Sequence, residues 1–275
     1  MQLLGKSLDN IFEEHNKKFS IKTICMIGIQ MLDRIEYMHS KHLVHGDIKP
    51  DNFVLGLNEE SHIIYIIDLG LCQKYRSAIT LKHLPFKEKT KFIGTPRYAS
   101  INSLKRYKLS RRDDLESMGY SLIYFLRGNL PWQGLQVNFP DDRKKRILEK
   151  KESISAEELC KGFPIEFTEF LNYARKLEYE QEPDYKYLRG LLYNVLSKEN
   201  CTYDFWYDWV SDKPIIKDQI AIERYINKNI DYDMKCIKED ENSNKNKIKK
   251  EEKKEWWTLD IKNEWKNLFF TIFGK

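Results

Sequence analysis

From residue 20 onward the apolar positions Ile21, Ile24, Cys25, Gly28, Met31, Leu32, Ile35 and Met38 recur at steps of three and four. That is the spacing of one helix face, and Ser20 stands where an N-terminal cap belongs. A shorter helix is predicted ahead of it, capped by Ser7, with Leu8, Ile11 and Phe12 on one side. Two apolar runs, "FVLGL" (53–57) and "HIIYII" (62–67), are separated by "NEES" and predict a β-hairpin. Residues 110–128 predict another helix, with Asp113 or Asp114 at its start and Gly128 at its end. Helical periodicity returns at 141–151, 155–160, 164–178 and 183–197, whereas 70–95 is polar with little period. The fold class is mainly α with a small β component, α+β, in one domain over 1–210.

The hairpin bears on chemistry. Asn52 stands just before its first strand and Asp68 just after its second. Antiparallel pairing brings those two ends together. Asp47 and Lys49 lie one short loop away, in "VHGDIKPDNF" (44–53), where Pro50 denies the loop a regular helix. Polar side chains from three places in the sequence thus converge at one edge of a small sheet.

Composition narrows the classes. The chain has 275 residues, 41% hydrophobic and 13% aromatic, enough for a real core. A net charge of +5 is a mild excess that favours anionic ligands. There is no basic arm, zinc-finger spacing or RNA-binding signature, so a nucleic acid is not the expected partner. Cys25, Cys72, Cys160, Cys201 and Cys236 are scattered and odd in number. They read as reduced thiols of an intracellular protein, cytoplasmic and/or nuclear. Lys6 and Asp9 interrupt any signal-peptide core.

The order His45-x-Asp47-x-Lys49-x-x-Asn52, followed by Asp68-Leu69-Gly70, is that of a protein-kinase catalytic loop and magnesium loop. The chain resembles the casein kinase I family of serine/threonine kinases over residues 1–210. The resemblance rests on "LLGKSLDNIF", "QMLDRIEYMHSKHLVHGDIKPDNF", "YIIDLGL", "GTPRYASINS", "SRRDDLESMGY", "LPWQGL", "LCKGFP" and "PDYKYLR". "SIN" at 100–102, where most kinases carry Ala-Pro-Glu, is characteristic of that family. The resemblance implies ATP and Mg²⁺ as cofactors. It implies Asp47 as catalytic base, Lys49 as phosphate contact, and Asn52 and Asp68 as magnesium ligands. Leu4 would meet adenine at the hinge, with Val54 and Ile67 flooring the adenine pocket. His45 would be a packed structural residue, and Asp114 would hold the catalytic-loop backbone. Arg97 and Arg143 fall where the family keeps bases for an acidic or phosphorylated group of a protein substrate; a solvated helix face accounts for Arg143 equally well.

The match has gaps. The sequence starts at the hinge, with no glycine-rich loop, no strand lysine and no partner glutamate. The expectation is therefore a kinase C-lobe without its N-lobe, inactive or very weak by itself. A non-catalytic scaffold built on that lobe is the alternative. Gly46 replaces the usual arginine after His45, and Leu69 replaces the usual phenylalanine. Beyond the resemblance, 211–254 reads as a charged linker. Residues 255–275 place Trp257, Ile261, Trp265, Leu268, Phe269, Ile272 and Phe273 at helical steps. That aromatic amphipathic tail is expected to dock on its own lobe or on a protein partner, in preference to a membrane.

Overall fold

In the computed structural model, which describes residues 3–135 and 142–211, the Ser20 hydroxyl accepts the Thr23 N–H at 3.2 Å and opens α2 (Ile21–Ser40). Ser7 does the same for α1 (Leu8–Glu14) through the Asn10 N–H. The predicted apolar stripe of α2 understates its burial, for every residue from Thr23 to Asp33 is buried. A helix covered on several sides carries apolar residues nearly all round. The cover comes from α4 (Arg111–Arg127), α8 (Tyr185–Lys198) and one strand of the hairpin, all packed on α2. Gly28 permits the close approach. A Cβ there would stand 2.9 Å from Leu192 and 3.2 Å from Leu122, one leucine from each flanking helix.

The hairpin forms as predicted. β2 (Phe53–Leu55) pairs antiparallel with β3 (Ile64–Ile66), with Phe53 opposite Ile66 and Leu55 opposite Ile64. Residues 5–7 lie along the other edge of β2: Gly5 N–H donates to Leu55 O at 2.8 Å, and Leu55 N–H donates to Lys6 O at 3.0 Å. Two features went unanticipated, a strand pair and a short helix. β1 (Leu43–Val44) pairs with β4 (Gln73–Lys74), inside the stretch that lacked periodicity. A single-turn helix, α3 (Ile101–Leu104), starts at Ser100. Both are too short for any period to register.

The start of α4 also differs in detail from expectation. Ser110 is the cap, and Asp113 reaches back to accept the Ser110 N–H at 2.7 Å. Asp114 is thereby released from capping. Gly128 closes the helix in a left-handed conformation, as predicted. The remaining helices are α5 (Asp142–Ser153), α6 (Ala156–Leu159) and α7 (Ile165–Lys176), with α7 packed on α4, α6 and α8.

After α8 the chain returns to the start of α2. Asp208 accepts the Ser20 N–H at 2.5 Å and the Ser20 hydroxyl at 2.7 Å. Lys22 pairs with Asp204 at 2.7 Å, and the Gln30 amide donates to the buried Tyr207 hydroxyl at 2.6 Å. The predicted linker, from residue 212 on, and the predicted tail helix over 255–275 lie outside the described residues. Among the described residues no helix is long and apolar enough to cross a membrane, and Cys25, Cys72, Cys160 and Cys201 are free thiols.

Two glycines should respond in opposite directions. Gly28→Leu is expected to cost about 1–3 kcal/mol by overpacking, since Leu122 and Leu192 already fill the space. Gly190→Ala, inside α8 with nothing within 4 Å of the new methyl, should gain about 0.5–1 kcal/mol from reduced backbone freedom of the unfolded chain. Urea denaturation of the two variants checks both signs.

Candidate active site

The loop between β1 and β2 is held from below by one carboxylate. Asp114 Oδ2 accepts the His45 N–H at 2.7 Å and Oδ1 accepts the Gly46 N–H at 2.9 Å. His39, near the end of α2, approaches Asp114 Oδ2 through Nε2 at 2.9 Å, while its Nδ1 faces the Tyr185 hydroxyl at 2.6 Å. Burial drives the His39 pKa down, against the pull of Asp114. The neutral ring therefore donates from Nε2 and accepts from Tyr185. Burial alone would raise the Asp114 pKa, but the hydrogen bond from His39, with further help from Gly46, outweighs it and holds the carboxyl low. An anion accepting several N–H donors is the arrangement that survives burial.

His45 is fully buried. Its Nδ1 accepts the Asp47 N–H at 3.2 Å, so the proton sits on Nε2, which faces Ile67 O at 3.0 Å. His45 thus ties the loop to the chain just before Asp68. Asn52 ties it from the other end, its amide donating to Asp47 O at 2.9 Å while its backbone oxygen accepts the Ile67 N–H at 2.9 Å. Asp68 follows in a left-handed conformation, φ 62°, with an exposed carboxylate that accepts a long hydrogen bond, 3.4 Å, from Gly70 N–H. The hairpin does what its ends predicted.

Asp47 is buried, and its two oxygens differ. Oδ2 accepts from Lys49 Nζ at 2.8 Å, and Lys49 also reaches the Thr95 hydroxyl at 3.1 Å. Oδ1 is buried without a partner among the described residues. A buried carboxylate oxygen left bare is costly, and a substrate hydroxyl is a group that could satisfy it. Gly94 keeps the approach open. Its backbone, at φ +98°, packs so near that a Cβ would stand 2.7 Å from Gly46 O and 3.6 Å from Asp47 Oδ1.

The donor set suits a hard cation. Asn52 Oδ1 and the Asp68 carboxylate are oxygens, and Asn52 has committed only its amide nitrogen among the described residues. No cluster of three His, Cys, Asp or Glu is available among the described residues. An all-protein cage is therefore not formed there, whereas one or two oxygens plus phosphates and waters is how Mg²⁺ is held. Val54 is buried and Ile67 and Leu4 are half-buried, with residues 5–7 and β3 on either edge of β2.

Gly46 explains the missing arginine. At φ +80°, a Cβ there would meet Leu71 O at 3.2 Å, Ile93 at 3.3 Å and Leu109 at 3.4 Å. Val44, Tyr75 and Leu109 form an apolar cluster, with Ile93 against it. Hydrocarbon fills this side of the loop.

The chain from Gly94 to Ser103 forms the far wall. Lys151 of α5 is fully buried and donates to Pro96 O at 3.2 Å and Ala99 O at 2.5 Å, with its ammonium 4.3 Å from the Tyr120 ring centre and 4.8 Å from that of Trp132. Burial holds that ammonium well below the lysine range, opposed by the charge of Glu116. Trp132 Nε1–H donates to Arg97 O at 2.7 Å. The Arg97 and Arg143 side chains are exposed, and no interaction joins them. Lys151, Thr95 and Gly94 escaped the sequence reading as site residues. Lys151 sits in a charged run that looks like a solvated face, and only its tertiary partners mark it.

The family model of the protein kinase domain matches residues 2–185, more than half of the chain. The chain belongs to the protein kinase family. The mainly helical architecture of this kinase domain, with its small antiparallel sheets, agrees with that membership, and a kinase-type transferase function comes with it.

Two measurements probe the support of the kinase loop. Asp114→Asn should destabilise the domain by about 2–4 kcal/mol, because two backbone donors lose a charged acceptor; chemical denaturation reads this. The second is pH dependence. A buried His39 with a lowered pKa is protonated first in the unfolded chain, so its contribution is complete above the unfolded value of 6.5 and is lost as pH falls. Burial raises Asp113 to about 6 despite hydrogen bonds from Ser100 and Ser110, which gives the opposite slope nearby. The comparison with His39→Gln cancels that common part. Between pH 6.5 and about 5, wild type should lose stability relative to the glutamine variant.

Proposed function

We propose that this kinase domain is a serine/threonine kinase of casein kinase I type, transferring the ATP γ-phosphate to Ser or Thr of acidic or pre-phosphorylated proteins. The observation that carries the reading is Asp47. Its Oδ2 is fixed by Lys49, and its buried Oδ1 lacks a partner among the described residues, beside a loop opened by Gly94. In this reading Oδ1 accepts the hydrogen of the incoming hydroxyl and orients its oxygen toward the γ-phosphorus. The P–O bond to ADP breaks as the new one forms, and the hydroxyl proton leaves to Asp47. Lys49 offsets charge on the transferring group. Asn52 and Asp68 would hold Mg²⁺, which when bound neutralises phosphate charge. Leu4, Val54 and Ile67 would line the adenine site. Arg97 and Arg143, exposed and basic, would receive an acidic or phosphorylated group upstream of the target residue.

A glycine-rich loop and a strand lysine are not among these 275 residues. On this reading the 275 residues by themselves transfer phosphate weakly, because those groups position the donor.

Phosphotransfer from labelled ATP with Mg²⁺ to an acidic serine peptide tests the proposal. Turnover by residues 1–275 should be slow, and Asp47→Asn should lower it at least ~100-fold. Arg97→Ala with Arg143→Ala should erase the preference for the acidic peptide over a neutral one. Incorporation indistinguishable between wild type and Asp47→Asn would leave the domain a binding module.

A further inference from the structure

Residues 73–112 contain twelve Lys and Arg against one acidic residue, Glu88. The whole chain carries only +5, so the rest of the protein is acidic and its positive charge is concentrated here. The fold gathers this segment further. Thr90 N–H donates to Arg106 O at 2.8 Å, Arg106 Nε donates back to Thr90 O at 3.0 Å, and Lys108 N–H donates to Lys87 O at 2.8 Å. The stretches 87–91 and 105–108 are thereby laced side by side. Lys87, Lys89, Lys91, Lys105 and Arg106 are exposed. Lys105 pairs with Glu152 at 2.7 Å. Among the described residues no carboxylate pairs with Lys87, Lys89, Lys91, Arg106 or Lys108. Burial, with the nearby Lys87 charge adding to it, lowers the Lys108 pKa. Like charges fixed this close repel one another, and an anion relieves the repulsion.

We propose that the surface bearing Lys87, Lys89, Lys91, Arg106 and Lys108 is a docking surface for an acidic stretch of a protein substrate. The word "substrate" rests on the kinase reading above; the binding rests on the surface itself. Lys91 stands three positions before Gly94, a reach of roughly 10 Å, and Gly94 borders Asp47. An extended peptide advances about 3.3 Å per residue, so acidic residues about three or more positions from the acceptor meet this surface. It is a separate contact from Arg97 and Arg143. A nucleic acid fits less well. The aromatic rings here, Phe86 against Tyr107 and Tyr179, engage each other edge-on at 5.3 and 5.2 Å, and of the three only Phe86 is exposed, so they offer no row of ring faces to successive bases.

The test is a binding measurement without ATP. A fluorescent peptide of twelve Asp and Glu residues, lacking Ser, Thr and Tyr, is titrated with the full 275-residue chain at low salt. Binding is expected, weakening at least ~10-fold on raising salt to about 0.3 M. Lys87→Glu, Lys89→Glu and Arg106→Glu together should weaken it at least tenfold. Lys18→Glu, Lys161→Glu and Lys186→Glu, which change net charge equally at other exposed positions, should weaken it less than threefold, and Arg97→Ala with Arg143→Ala should do no more. Equal losses in the two charge-reversal triples, or no binding at all, overturn the proposal. So does tighter binding of a single-stranded oligonucleotide of equal charge, which would reassign the surface to nucleic acid. Because the peptide has no phosphoacceptor, a failed kinase reading and a failed docking surface give different results: the first shows as absent phosphotransfer, the second as absent or unselective binding.

Discussion

Everything at the candidate catalytic edge hangs on the Asp114 carboxylate and the two backbone N–H groups it accepts, from His45 and Gly46. The loop carries only a single 3-10 turn, Pro50–Asn52, opened by the proline at its first position, too little structure to order it alone. Its order is borrowed from α4, one of the most buried helices of the domain. A single anion in a dry setting can do this because each N–H···O⁻ bond is charge-assisted and water does not compete. His39 extends the same chain of donors to α2 and, through Tyr185, to α8. The three helices that form the core thus meet electrically at the point that positions Asp47.

A second theme is the use of absent side chains. Gly28 lets three core helices touch, and Gly46 and Gly94 let two loops meet backbone to backbone beside Asp47. This edge is shaped as much by hydrogens as by functional groups. Lys151 and Trp132 act on the opposite wall, fixing the carbonyls of Pro96, Ala99 and Arg97, so that both sides of the edge are rigid while Asp68 stands in the open.

How far the sequence carried this picture depended on range. α1, α2, α4, α7 and α8 and the hairpin were legible because caps and periodicity are local signals, and the convergence of Asp47, Asn52 and Asp68 followed from strand pairing alone. The start of α4 was left open between two neighbours: Ser110 and Asp113 share the capping, and Asp114, as the resemblance implied, turns to a loop nearly seventy residues earlier. No local rule separates two adjacent aspartates with such different partners. β1 with β4 and α3 were missed because two to four residues hold no period. Lys151 was missed because charge in sequence predicts exposure on average, and only its carbonyl and aromatic partners overturn that average.

The closure of α2 by residues 204–208 has a consequence for how the protein is made. Ser20, Lys22, Thr23 and Gln30 are satisfied by Asp204, Tyr207 and Asp208, which emerge from the ribosome long after α2 does. At synthesis rates of about 5–20 residues per second, the helix waits roughly ten to thirty seconds for the partners that shield it. Over that interval its apolar flanks are a natural target for chaperones, and vectorial folding from the N-terminus cannot complete the core. Within the described residues, one of the last segments to be made covers one of the first helices.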